Sequence, residues 1–170
     1  MSCRFALRGI GCSLSAMDTA PTYLVVIDGS AESRVALRFA AMRASHVAGQ
    51  VALVYVVRPV EFMQWGGVQA AMAAEARAEA EALLASVADE VETLSGVRPL
   101  ATVLNGETAP AIFEHVRTSP GVRALVLGAA PKGAPGPLVS YFTGERAGQL
   151  PCVVIVVPGG LDAERLESLT

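Results

Sequence analysis

The chain has 170 residues, 52% hydrophobic but only 5% aromatic, with a formal net charge of −3 at pH 7. That length favours one domain with a full core, and the composition makes the core aliphatic, built from Val, Leu, Ile and Ala. A weakly acidic balance argues against general binding to nucleic acid or acidic lipid, and no apolar run approaches the length that spans a bilayer.

Residues 1–20 carry Arg4 and Arg8 and no acid before Asp18, but Gly9, Gly11, Ser13 and Ser15 interrupt any apolar targeting core. This stretch reads as a disordered extension, with Met17 as an alternative start, because the domain pattern begins only at Thr22. Cys3 and Cys12 lie here, and with Cys152 they show neither paired spacing nor a Cys-x-x-Cys unit. That argues against a zinc site or a disulfide framework and for a reducing, cytoplasmic setting.

Leu24 to Ile27 form a short apolar run that stops on Asp28-Gly29-Ser30, a buried strand followed by a helix-capping serine. In open parallel sheets ligands sit beyond the carboxyl ends of the strands, so Asp28 would project into a site. A helix follows, with Val35, Phe39 and Met42 at helical spacing, ending near Gly49. Val51 to Val57 is a second strand closed by Arg58-Pro59. The loop after it holds Phe62, Met63 and Trp65, placed either to lid a pocket or to make ordinary core contacts. A long helix over about 68–95 carries Ala76, Ala80, Leu83, Leu84, Val87, Val91 and Leu94 on one stripe, and Gly96 stops it.

Leu100 to Leu104 is a third strand ended by Asn105-Gly106, and a helix from about Thr108 to Thr118 has Pro110 in its first turn. The fourth strand, 123–127, runs into a glycine–proline loop, Gly128 to Gly136, which contains Lys132, the chain's one lysine. A weak helix near 139–148 leads to the apolar run Cys152 to Val157, closed by Pro158, in which Cys152 reads as an inert buried thiol. Residues 159–170 form a short amphipathic tail with Asp162 as its N-cap. Strands alternating with helices imply one α/β domain over 21–158, with a mostly parallel sheet covered on both faces. The strand ends at Asp28 and Leu127 then face one crevice suited to a small ligand such as a nucleotide.

The stretch from Thr22 to Pro158 resembles the universal stress protein family. The matching pieces are Val25-Val-Ile-Asp28-Gly29-Ser30, Leu53 to Val57 with Arg58-Pro59, Asn105-Gly106 before Ile112, Val126-Leu127-Gly128, and Leu150 to Val156. The resemblance implies a doubly wound, adenine nucleotide alpha hydrolase-like fold with five parallel strands in the order 3-2-1-4-5. It implies a homodimer through the last strand, and a stress-response role in which some members bind ATP, with magnesium, and others do not. Carried over, Asp28 would contact ribose or adenine, Val56 would line the base pocket, and Gly128, Gly133, Gly136 and Ser140 would surround the phosphates, with Lys132 nearby.

The phosphate loop departs from the pattern of nucleotide-binding members, in which Gly, two residues, Gly, nine residues, Gly precede Ser or Thr. Counting from Gly128, the second glycine position holds Pro131, and no glycine precedes Ser140. Pro131, Pro135 and Pro137 also remove N–H donors that an anion would use. One cation and a helix N-terminus contribute about 1–3 kcal/mol, well short of the ~8 kcal/mol that micromolar binding requires. A dimeric protein–protein scaffold that binds no nucleotide therefore stands beside the nucleotide reading. Its dimer rests on the β-branched run Val153, Val154, Ile155, Val156 and Val157, which at a sheet edge must be paired or covered, the tail being the alternative cover.

Enzymatic readings have less support. The loop after the first strand lacks the Ser-Gly-Gly-x-Asp-Ser form of related pyrophosphatases, and the third strand ends on Asn105 where a phospho-acceptor domain would want Asp. His46 and His115 have no matched nucleophile, so no catalytic residue is assigned, and at most a slow ATPase is expected.

Overall fold

The computed structural model describes residues 20–59, 66–144 and 146–170. The expected disordered extension with Met17, and the loop holding Phe62, Met63 and Trp65, lie outside the described residues except for Ala20 at the extension's end and Gly66 and Gly67 beyond the loop.

The strands are β1 (Thr22–Val26), β2 (Gln50–Val57), β3 (Leu100–Asn105), β4 (Val122–Ala129) and β5 (Val153–Pro158). All neighbours pair in parallel, in the order β3-β2-β1-β4-β5. Between them lie α1 (Ala31–His46), α2 (Gly66–Ser95), α3 (Thr108–Thr118), α4 (Pro137–Thr143) with a 3-10 turn at 147–149, and finally α5 (Ala163–Glu167). The fold expected from the sequence is therefore the fold observed.

The period-two alternation of β1 builds the two layers. Tyr23, Val25 and Ile27 join the cluster under α1, α2 and α5, whereas Leu24 and Val26 join Ile112 and Val116 of α3 and Val139 and Phe142 of α4. A strand buried on both faces reads as an unbroken apolar run, which is why it stood out in the sequence.

The α1 packing face is centred on small residues beside the large ones that carried the helical spacing. Val35, Phe39 and Met42 are only partly buried, while Ala36, Leu37, Ala40, Ala41 and Ala44 are fully enclosed. Small side chains let the helix axis come close to β1 and β4, and the larger residues fill its flanks. α1 ends at His46, and Ala48 takes the left-handed conformation before Gly49, which packs against the Pro21 backbone. On α2, Ala80, Leu84, Val87 and Val91 are buried as expected, with Ala88 beside them. Leu94, expected on the same stripe, is 44% exposed and lines a surface hollow beside α1 and α5.

In the tail, Leu166 is buried while Leu169, expected on the same side, is 52% exposed. Asp162 accepts a hydrogen bond from the Arg165 backbone N–H at 2.8 Å, and Leu166 buries against the α1 layer. Arg43 of α1 donates to the Thr170 carbonyl at 3.1 Å. The tail is thus held on α1.

Candidate functional site at the carboxyl ends of the strands

Beyond β1 the chain makes a tight, self-bonded turn. Asp28 accepts hydrogen bonds on one carboxylate oxygen from the Ser30 N–H at 3.0 Å and the Ser30 hydroxyl at 2.6 Å. Gly29 supplies the positive φ of 81° that this turn needs. The Ser30 hydroxyl in turn accepts from the Ser33 N–H at 3.1 Å, capping α1. One oxygen of Asp28 is therefore held in place, which fixes the direction of the other.

Asp28 opens into a cleft of about 500 Å3, the size of a small-ligand site. One wall is apolar: Val26, Leu127, Leu138, Val139 and Tyr141. Ser30, Glu32 and Ser33 from the start of α1, Glu107 to Pro110 from the start of α3, and Pro135 to Pro137 at the start of α4 complete it. Three helix starts and two strand ends thus converge on one space, as the topology of this sheet requires. A second hollow of about 520 Å3 lies between α1, α2 and α5, lined by Val35, Met42, Leu94 and Leu166 and bordered by Arg38 and Glu90. It is a seam between helices away from the strand ends, and the ion pairs of Arg34 and Arg38 with Glu90 span it.

Of the seven residues proposed from the sequence, Asp28, Gly128 and Gly136 line the cleft. Val56 packs on the α3/α4 cluster and is not among the cleft's lining residues, and neither are Lys132, Gly133 or Ser140. The Ser140 hydroxyl donates back to the Gly136 carbonyl at 3.1 Å within α4. Gly128 has a packing reason for lacking a side chain. A Cβ there would overlap the Glu32 carbonyl group and lie 2.9 Å from the Ser33 nitrogen, so the glycine lets the start of α1 rest on the end of β4. Gly136, with φ 108° and ψ 153°, occupies a conformation open essentially to glycine alone and turns the chain into α4.

Sequence reasoning missed Arg58, Glu107 and Tyr141. Arg58 lies two and four residues beyond Val56 and Val54, on the alternation that points to the α3/α4 side, so strand periodicity held the signal. Glu107 precedes α3 and makes no side-chain cap bond, which leaves its carboxylate to the cleft mouth. Arg146 lies 5.4 Å from the Phe113 ring centre and 5.9 Å from that of Tyr141, and donates to the Gln149 side-chain oxygen at 2.7 Å. Its charge is spent on bracing the Tyr141 wall from outside the cleft.

A sequence profile of the Universal stress protein family matches residues 22–158, the whole span from β1 to β5. The chain belongs to the universal stress protein family. Solved structures agree at the level of fold. Universal stress protein UspA from Lactobacillus plantarum superposes with a TM-score of 0.67 at 20% identity, over 81% of this chain and 97% of that one. A universal stress protein in complex with cAMP gives 0.57 at 15% identity, over 84% and 99%. A family member from Arabidopsis thaliana with AMP bound gives 0.60 at 15% identity, over 85% and 94%. No curated protein sequence matches the chain.

Other groups are chemically quiet. Partial burial pushes the Cys152 thiol up, opposed by a backbone hydrogen bond involving Leu125, so the thiolate is disfavoured. Among the described residues no His, Cys, Asp or Glu cluster could hold a metal ion, and no helix is long and apolar enough to cross a membrane.

Proposed function

We propose that this universal stress protein binds an adenine nucleotide in the cleft between the ends of β1 and β4, as a non-catalytic module of the cytoplasm. The observation that carries this reading is the pairing of Asp28, with one oxygen anchored, and an apolar wall running from Val26 and Leu127 to Tyr141 across a cleft of mononucleotide size. The wall suits a purine face, and a fixed carboxylate suits ribose hydroxyls. Two structural relatives carry cAMP and AMP, which supports the same ligand class here. Isothermal titration of AMP into the full chain should give saturable one-to-one heat that Asp28→Ala weakens about tenfold, the loss of one charge-assisted hydrogen bond. No heat at millimolar AMP ends the reading.

A dimeric scaffold is favoured by a separate observation. Among the described residues β5 pairs only with β4, and along it Val153 and Val156 are 63% and 36% exposed. The tail packs on α1, so the outer backbone edge of β5, with the exposed Val153 and Val156, is offered to a second copy, whose edge would satisfy the free backbone groups. Light scattering should report twice the chain mass, reduced to one by Val153→Lys with Val156→Lys. A monomer at tens of micromolar would refute it.

A further inference from the structure

The charges in the cleft discriminate among adenine nucleotides. We infer that the cleft takes adenosine and its cyclic or simple monophosphates and disfavours triphosphate, with Glu107 and Arg58 setting the preference. This rests on the reading of the cleft as a nucleotide site. Among the described residues three carboxylates, Asp28, Glu32 and Glu107, line it, against one guanidinium, Arg58. Lys132 and Arg146 are both absent from the lining, and Arg146 is committed to Phe113, Tyr141 and Gln149.

The backbone makes up part of the deficit, through the first-turn N–H groups of α3 and α4 at Thr108, Ala109, Leu138 and Val139, but several donors that a chain of phosphates would use are spent or missing. The Ser33 N–H is used by Ser30, and the Ala130 N–H donates to the Pro135 carbonyl at 3.3 Å. Pro135, Pro137 and Pro110 stand at the cleft with no N–H to offer. The Ser140 hydroxyl, the terminal group expected to meet phosphate, is turned back into α4. Among the described residues no group of three or more His, Cys, Asp or Glu side chains forms a cage for a metal ion, so any magnesium would have to arrive on the phosphates themselves. A single phosphate needs one cation, and Arg58 is that cation. Each added phosphate brings charge toward Glu32 and Glu107 without a cationic partner. The triphosphate that the sequence resemblance allowed does not fit this donor set.

The test is a set of titrations of adenosine, AMP, ATP and magnesium–ATP into the full chain at two ionic strengths. Two unpaired phosphate charges facing solvent-screened carboxylates predict AMP binding about tenfold tighter than ATP. Repulsion also predicts that added salt strengthens ATP binding relative to AMP, where attraction would weaken it. Glu107→Lys should raise the ATP-to-AMP affinity ratio about tenfold, and Arg58→Glu should lower it. Glu107 is exposed and makes no cap bond, so its variant is expected to fold, and a melting curve checks this. ATP binding as tightly as AMP, or a ratio that neither variant moves, overturns the inference while leaving the nucleotide site standing. No binding of any of the four compounds overturns the site itself.

Discussion

Replacing Gly128 by alanine separates two accounts of the same glycine. If it serves only to bring backbone near a phosphate, the substitution should cost little in the absence of ligand. The structure gives it another duty. The added methyl would overlap the Glu32 carbonyl and press on the Ser33 nitrogen at 2.9 Å, both rigid backbone in the first turn of α1. Restoring van der Waals spacing requires moving that turn by roughly 1 Å. The movement pulls on Ser33, Ala36 and Leu37, which are buried, and on the Ser30 cap. Overpacking against side chains costs about 1–3 kcal/mol, and against backbone the upper end applies, so about 3 kcal/mol is expected. Urea denaturation of the ligand-free protein measures it, with Gly133→Ala as the control. Gly133 has open space around its Cβ position and a φ of 79°, so alanine there costs only about 1 kcal/mol of left-handed strain. Equal losses for the two variants, or none at Gly128, would refute the packing argument.

Other substitutions test neighbouring claims. Ser30→Ala removes the cap on the Ser33 N–H and the bond to Asp28, and should cost about 1 kcal/mol by thermal melting while weakening AMP. Phe142→Ala empties the middle of the α3/α4 layer, where the ring is fully buried, and should cost about 3–5 kcal/mol. Asp162→Ala should loosen α5 and speed hydrogen exchange at Leu166, leaving exchange in β1 unchanged. Burial holds the His115 imidazole below its ordinary range, so the unfolded chain binds the proton more readily than the folded one. Its contribution is intact above that range and is lost as pH falls through it. Stability of the native protein should therefore drop between neutral and mildly acidic pH more steeply than that of His115→Gln.

Much of the fold was legible because β1, β2, β4 and β5 are continuous aliphatic runs, each closed by Asp28, Arg58, Gly128 or Pro158. Ser30 and Asp162 announced helix starts by a short-range mechanism that needs no tertiary context. The alanines at the centre of the α1 face went unnamed because hydrophobic spacing favours large residues, whereas close packing on a sheet selects alanine, which periodicity alone does not weigh. The site was half legible for a related reason. Asp28, Gly128 and Gly136 stand directly at strand and helix ends, so chain order locates them. Glu107 and Tyr141 reach the cleft only through the packing of α3 and α4, and the two helices owe their placement to Ile112, Val116 and Phe142, far from any motif. Lys132 was conspicuous as a lone cation in a glycine loop, yet the loop closes on itself through Ala130 and Pro135 without bringing it to the cleft.

Amide chemical-shift mapping with AMP interrogates the cleft itself, because it reports place as well as affinity. Saturable shifts at Asp28, Gly29, Ser33, Glu107, Gly128 and Tyr141, with the α1–α2–α5 seam silent, are the predicted pattern. Shifts confined to that seam, or a spectrum indifferent to millimolar AMP, would contradict a ligand pocket built where β1 and β4 end.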